Sequence, residues 1–229
     1  MAVATPKLKL YTNHGCPWAH RAHIALAELG LPFEEEIIDL TVPRTAEYLK
    51  VNPRGLVPSL AIDDEIITES GIVSAFLADT FPSHLVPASN APGGALARAR
   101  IAFFADTLVS KFPLMAFIRA KTDDEVAELV GKTVDAVVKE LEPLLANAAP
   151  FFNGSDKLTL AEVLTGSFIV RLWTWPEYGT LPQSLLTELR AKAPNFARWA
   201  EAVATHPSVT GIFDAEGTAV TIKARFGGR

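Results

Sequence analysis

The sequence holds a single cysteine and two methionines in 229 residues, and it contains no long Lys/Arg run. One cysteine excludes an internal disulfide, and a reducing compartment would keep that residue available as a thiol. The formal charge of −5, without a basic cluster, argues against a protein that chiefly grips phosphate backbones or anionic lipid. Nucleic acid and membrane are therefore not expected partners. No uninterrupted apolar stretch approaches the roughly 20 residues that cross a bilayer, and the start, Met1 to Lys7, lacks the charged-then-apolar layout of a secretion signal. A cytoplasmic location is the expectation. No internal repeat is found.

What is present suits a folded chain: 49% hydrophobic and 21% charged residues can bury a substantial core without metal or disulfide support. The N-terminal third alternates strand-like and helix-like runs. Leu8 and Leu10 fall on one face of a strand over 7–12, and from Pro17 onward Ala22, Ala25, Leu26 and Leu29 recur at helical spacing up to Gly30. A second strand is predicted over 33–40, a short helix or turn over 44–50, and a hairpin over 59–62 and 65–68 joined by Asp63-Asp64. A helix marked by Ile72, Val73, Phe76 and Leu77 should follow and end near Phe81-Pro82. Residues 84–94 are rich in breakers and read as a linker between one domain at 1–83 and another at 95–229.

The second domain has helical periodicity nearly throughout. Ile101, Phe104 and Leu108 mark one helix. Val126, Val130, Val134, Val137, Leu141 and Leu144 mark another behind the capping box opened by Thr122 and closed by Glu125. Thr159 and Glu162 open a third, which carries Leu164, Phe168, Leu172 and Trp175 before Pro176, and two shorter helices are predicted over 183–191 and 194–204.

The chemistry concentrates in His14-Gly15-Cys16-Pro17-Trp18-Ala19-His20-Arg21, where strand one meets helix one. A thiol at a helix N-terminus faces unsatisfied amide N–H groups and the positive end of the helix dipole, both of which favour the attacking thiolate. Pro17 costs no helical hydrogen bond there. Ala19 stands where a dithiol motif would carry its second cysteine, so chemistry at Cys16 must pass through a mixed disulfide or thioether with a small thiol. His14, His20 and His23 could tune the thiolate. No carboxylate or metal-ligand spacing in the sequence supports a cysteine–histidine dyad or a metal site, so solvated or capping roles are expected and no metal is.

Three motifs in order, Cys16 to Arg21, Asn52-Pro53-Arg54-Gly55-Leu56-Val57-Pro58 and Glu69-Ser70, resemble the glutathione site of the cytosolic glutathione transferases, the cysteine-bearing omega class above all. The resemblance covers both halves, since the Thr159 to Glu162 box also looks like the family's, although there it more often ends in Asp. It implies a thioredoxin-like α/β domain followed by an all-α domain, with glutathione as co-substrate and a homodimeric assembly. By the same resemblance Cys16 is catalytic, Val57 pairs its backbone with glutathione beside a cis Pro58, and Glu69 and Ser70 hold the γ-glutamyl end. Arg44 meets the glycine carboxylate, with Lys50 and Arg54 as alternatives, and Trp18 shapes the thiol pocket. Tyr11 and Ser74 are minor candidates, because other classes activate glutathione with a hydroxyl. A second, small hydrophobic or thiol-containing substrate would lie between the domains. Phe112, Met115, Phe117, Trp173, Trp175 and Tyr178 are its candidate lining. The implied activity is glutathione-dependent thiol transfer, with conjugation to a small electrophile or a non-catalytic binding role as alternatives.

Overall fold

A computed structural model of the chain describes residues 6–227; the reading of the first five residues lies outside the described part. The first half runs β1 (Leu8–Thr12), α1 (Pro17–Leu29), β2 (Glu34–Ile37), α2 (Ala46–Val51), β3 (Ser59–Ile62), β4 (Glu65–Thr68) and α3 (Ser70–Thr80). The sheet order is β2-β1-β3-β4, with β1 parallel to β2 and β3 antiparallel to both its neighbours. Parallel pairing needs a crossover, and α1 supplies it. Leu8, Leu10 and Thr12 are buried on one face of β1, while Lys9 and Tyr11 take the other. This is the expected thioredoxin-like arrangement.

Two boundaries differ from the sequence reading. The second strand, predicted over 33–40, is ladder-paired only over Glu34–Ile37, all four residues being exposed. It is the edge of the sheet, where short charged strands resist pairing with another chain. Lys7–Glu34 and Lys9–Glu36 ion pairs, at 3.0 and 2.7 Å, tie it to the β1 side. The expected helix behind Thr122 also stops early. It is regular over Asp123–Ala136, then widens into a π-helical turn over Val137–Leu141 and tightens into a 3₁₀ turn over Glu142–Leu145. Pro143 has no N–H to continue the ladder, which accounts for the break.

The second half comprises α4 (Gly94–Lys111), α5 (Leu114–Arg119), α6 (Asp123–Ala136), α7 (Leu160–Thr174), α8 (Gln183–Lys192), α9 (Pro194–Ala204), α10 (Pro207–Thr210) and α11 (Ala215–Phe226). Residues 81–93 connect the halves without a regular element. A Cβ on Gly94 would sit 2.0 Å from the Ala88 carbonyl oxygen, so the end of this connection requires glycine. By length and composition Gly94–Arg119 could cross a membrane, but it breaks at Phe112-Pro113, and its Ile101, Phe104 and Leu108 are buried in the core.

Helix α7 is the pillar between the halves, packing against α1, α3, α4 and α9. Its approach to α1 depends on Gly166, where a Cβ would meet Val209 at 3.1 Å and Ile24 at 3.4 Å. At its start Thr159 and Glu162 form the predicted capping box. The glutamate reaches further than a cap alone demands: fully buried, it accepts from the Phe152 and Thr159 amides and from Trp199 Nε1, at 2.7–2.8 Å.

Candidate functional site

Cys16 is the N-cap of α1, and its side chain makes no capping hydrogen bond. Asn13 holds the turn in front of it: the Cys16 amide donates to the Asn13 carbonyl at 3.0 Å, and the Gly15 amide donates to Asn13 Oδ1 at 3.0 Å. Cys16 is part-buried and packs, with Tyr11, on a small apolar cluster that includes Ala19, Tyr48 and Val57. The structure thus brings the first two motifs together. The Val57-Pro58 peptide is cis, as the resemblance implied.

Ser70 opens α3 and is buried, its hydroxyl accepting from Arg21 Nη1 at 3.3 Å. Glu69, just before it, is exposed, is paired with Arg54, and has φ +69°. A non-glycine residue held there costs about 1–3 kcal/mol, a strain that clusters at ligand clamps. Arg44 donates to the backbone carbonyls of Asp39, Val42 and Gly55 at 2.6–3.0 Å, fastening the loop before α2. Trp18 is 43% exposed and stands edge-on to Phe168 of α7, ring centroids 4.9 Å apart.

The six candidates for the second-substrate wall all belong to the helical half. Phe112 and Phe117 lie 6.4 Å apart near α5, with Met115 part-buried between them in sequence. Trp173 is buried under Arg190 of α8. Trp175 is buried with its Nε1 donating to Thr218 of α11 at 3.2 Å, and Tyr178 is exposed. Ser74 is buried on α3.

The sequence reading missed Arg171 and gave Arg21, the last residue of its first motif, no role of its own. Arg171, on α7, is fully buried; its Nη2 donates to the Gly15 carbonyl at 3.1 Å, and its Nη1 donates to the Ser167 carbonyl at 2.6 Å and His20 Nδ1 at 3.3 Å. Burial pushes this guanidinium down to about 9, and attraction to the Cys16 thiolate works in the opposite direction. Arg21 is also buried, its guanidinium beside the Trp18 and Phe168 rings at 4.7 and 5.1 Å, and burial pushes it down to about 10. Among the described residues neither arginine forms an ion pair, so two positive charges flank the thiol and the start of α3. A signal existed: Arg171 interrupts an otherwise uncharged run over 163–176.

The three N-terminal histidines differ. His20 is fully buried, with its pKa pushed down to about 3, first by burial and then by Arg171. His23 is buried and pushed down to about 4 for the first of these reasons, partly offset by Glu35. His14 is exposed and bonded to Glu35 at 2.7 Å.

Residues 15–80 match the family model described as glutathione S-transferase, N-terminal domain. The zeta-class glutathione S-transferase of Euphorbia esula is 30% identical over 169 residues, covering 69% of this chain and 72% of that protein. The chain belongs to the glutathione S-transferase family. Among solved structures, this glutathione transferase superposes on rice GST1 in complex with glutathione with a TM-score of 0.81 at 25% identity, over 98% of this chain and 100% of that one. Glutathione transferase Omega 2C from Trametes versicolor gives 0.79 at 29% identity, over 97% and 99%. The fold of the transferase therefore extends through both halves, beyond the N-terminal segment that the family model matches.

Proposed function

We propose that this glutathione transferase is a thiol transferase in which Cys16 is the nucleophile. The observation that carries the reading is the position of Cys16, an uncapped N-cap on α1 with the buried Arg171 guanidinium bonded to the adjoining Gly15 carbonyl. Amide dipoles at a helix start and a nearby positive charge are the surroundings that reactive thiols generally occupy.

In the first step the Cys16 thiolate attacks the glutathionyl sulfur of a mixed disulfide. A Cys16–glutathione disulfide forms, the substrate S–S bond breaks, and the partner leaves as a thiol after taking a proton from solvent. A second glutathione, as thiolate, then attacks the glutathionyl sulfur on Cys16, releasing glutathione disulfide and the free enzyme. Two glutathione-derived electron equivalents reduce the substrate disulfide. The Val57 backbone orients the tripeptide, Ser70 and Glu69 receive its γ-glutamyl end, and Arg21 supplies the positive charge beneath Ser70. Arg44, Lys50 and Arg54 are the cations available to the glycine carboxylate, and Trp18 walls the thiol pocket. A small thiol-containing or hydrophobic partner enters from the helical side. This chemistry suits a reducing, cytoplasmic setting. The assembly is a homodimer, a reading supported by large apolar side chains left exposed on β4, α3 and α4: Ile66, Ile72, Leu96 and Phe103.

The test is intact mass after incubation with glutathione disulfide. One glutathione adduct on the wild type and none on Cys16→Ala is the expected result. Absence of an adduct on the wild type overturns the reading, and retention on glutathione resin would then mark a binding module. The zeta-class relative favours a second reading, conjugation to a small electrophile. A conjugase would keep its activity toward a chloronitroaromatic after Cys16→Ser, whereas the thiol transferase loses its reductase activity.

A further inference from the structure

We propose that His14, His23 and Glu35 form a binding site for a first-row transition-metal dication, Zn²⁺ being the representative ion, at the root of the loop that carries Cys16. The three residues come from three elements, the turn after β1, the buried face of α1 and the edge strand β2, so their meeting is tertiary. One ligand atom from each lies within 4.8 Å of the other two. His14 Nε2 is 2.7 Å and His23 Nε2 is 3.4 Å from the same Glu35 Oε1. The two imidazoles meet edge to face, centroids 5.3 Å apart.

The donor set is two imidazole nitrogens and one carboxylate oxygen, which suits zinc and its neighbours and not the all-oxygen demand of Mg²⁺ or Ca²⁺. Zinc bonds of about 2.0–2.1 Å to nitrogen and oxygen set tetrahedral ligand separations of about 3.3–3.5 Å, within the span these atoms already occupy. Small rotations of the exposed His14 and Glu35 side chains about a fixed His23 complete the geometry. Three protein ligands leave the fourth position for water. Coordination through His23 Nε2 replaces its 2.9 Å contact with Thr12 Oγ1, a hydroxyl that then stands beside the ion. The site is separate from the thiol: Cys16 does not belong to the cluster, although His14 is two residues before it.

The experiment is titration of tag-free protein with ZnCl₂ in a non-chelating buffer, read by calorimetry and by bound metal after dialysis. One equivalent should bind the wild type and Cys16→Ser alike, with no comparable binding of MgCl₂. His14→Ala and Glu35→Gln, whose side chains are not part of the core, should each weaken zinc by about tenfold or more with an unchanged far-UV spectrum. The proposal is overturned if the wild type binds no zinc, if both variants keep it, if Mg²⁺ binds as well, or if Cys16→Ser abolishes it, which would make the thiol the ligand. None of these outcomes depends on whether Cys16 forms a glutathione adduct.

Discussion

At the scale of single residues, the thiol and the charge facing it come from opposite halves of the chain. Cys16 is held at the head of α1, while Arg171 reaches it from α7, 155 positions later, and donates to the carbonyl of the residue before it. A buried guanidinium without an anionic side-chain partner is unfavourable in isolation. Here Phe213 at 4.7 Å and Trp175 at 5.8 Å take its face, backbone carbonyls accept from Nη1 and Nη2, and the buried Nε has no hydrogen-bond partner among the described residues. In the proposed thiol transfer Arg171 is a positioning residue. Arg171→Met should slow glutathione adduct formation at Cys16 by about tenfold or more, corresponding to about 1.4 kcal/mol on the barrier. Arg171→Lys should restore most of the rate, since it returns the charge. Equal slowing in both variants, or slowing only where the melting temperature also collapses, would assign Arg171 to packing alone.

Among the elements, α7 determines most. Its capping glutamate is a hub: besides closing the box, Glu162 joins the turn at Phe152 and the indole of Trp199 on α9 to the start of the helix. Burial raises its pKa, and the hydrogen bonds from Trp199, Thr159 and Phe152 oppose that rise. Glu162→Ala would strand the Trp199 N–H and two amides in the core. An expected loss of about 3–4 kcal/mol should appear as a lower urea midpoint at unchanged slope. An aspartate at this position would be one methylene shorter, so the reach to Trp199 belongs to the glutamate. A comparable device sits at α9, where the Glu142 carboxylate accepts from the Asn195 and Phe196 amides at 3.0 and 2.8 Å.

For the whole molecule, the exposed apolar side chains are where the proposed homodimer is tested. Phe103 is 61% and Leu96 55% exposed, seven residues apart and therefore on one side of α4; Ile72 of α3 and Ile66 of β4 are similarly uncovered. Sedimentation velocity should report a dimer for the wild type and a folded monomer for Phe103→Glu; a wild-type monomer at micromolar concentration would refute the assembly. The C-terminal helix is a second matter of scale. The sequence reading stopped at residue 204 and left α11 unassigned, because its apolar positions are sparse. In the structure α11 closes the molecule, with Thr218 receiving the Trp175 N–H and Arg225 donating to the Leu40 carbonyl of the first half at 3.2 Å.

Local periodicity determined the alternating first half, the hairpin, the capping boxes and the place of the thiol, because each depends on residues within a few positions of one another. The short edge strand and the break before Pro143 escaped it, since sheet edges and interrupted helices answer to neighbours as well as to pattern. Only the tertiary structure decided what surrounds Cys16. Tyr48, Val57 and Arg171 lie far along the chain, and Glu35 reaches His14 and His23 only because β2 pairs beside β1. A charge or a ligand set is a relation in space, and spacing in the sequence carries it only when both partners share one element.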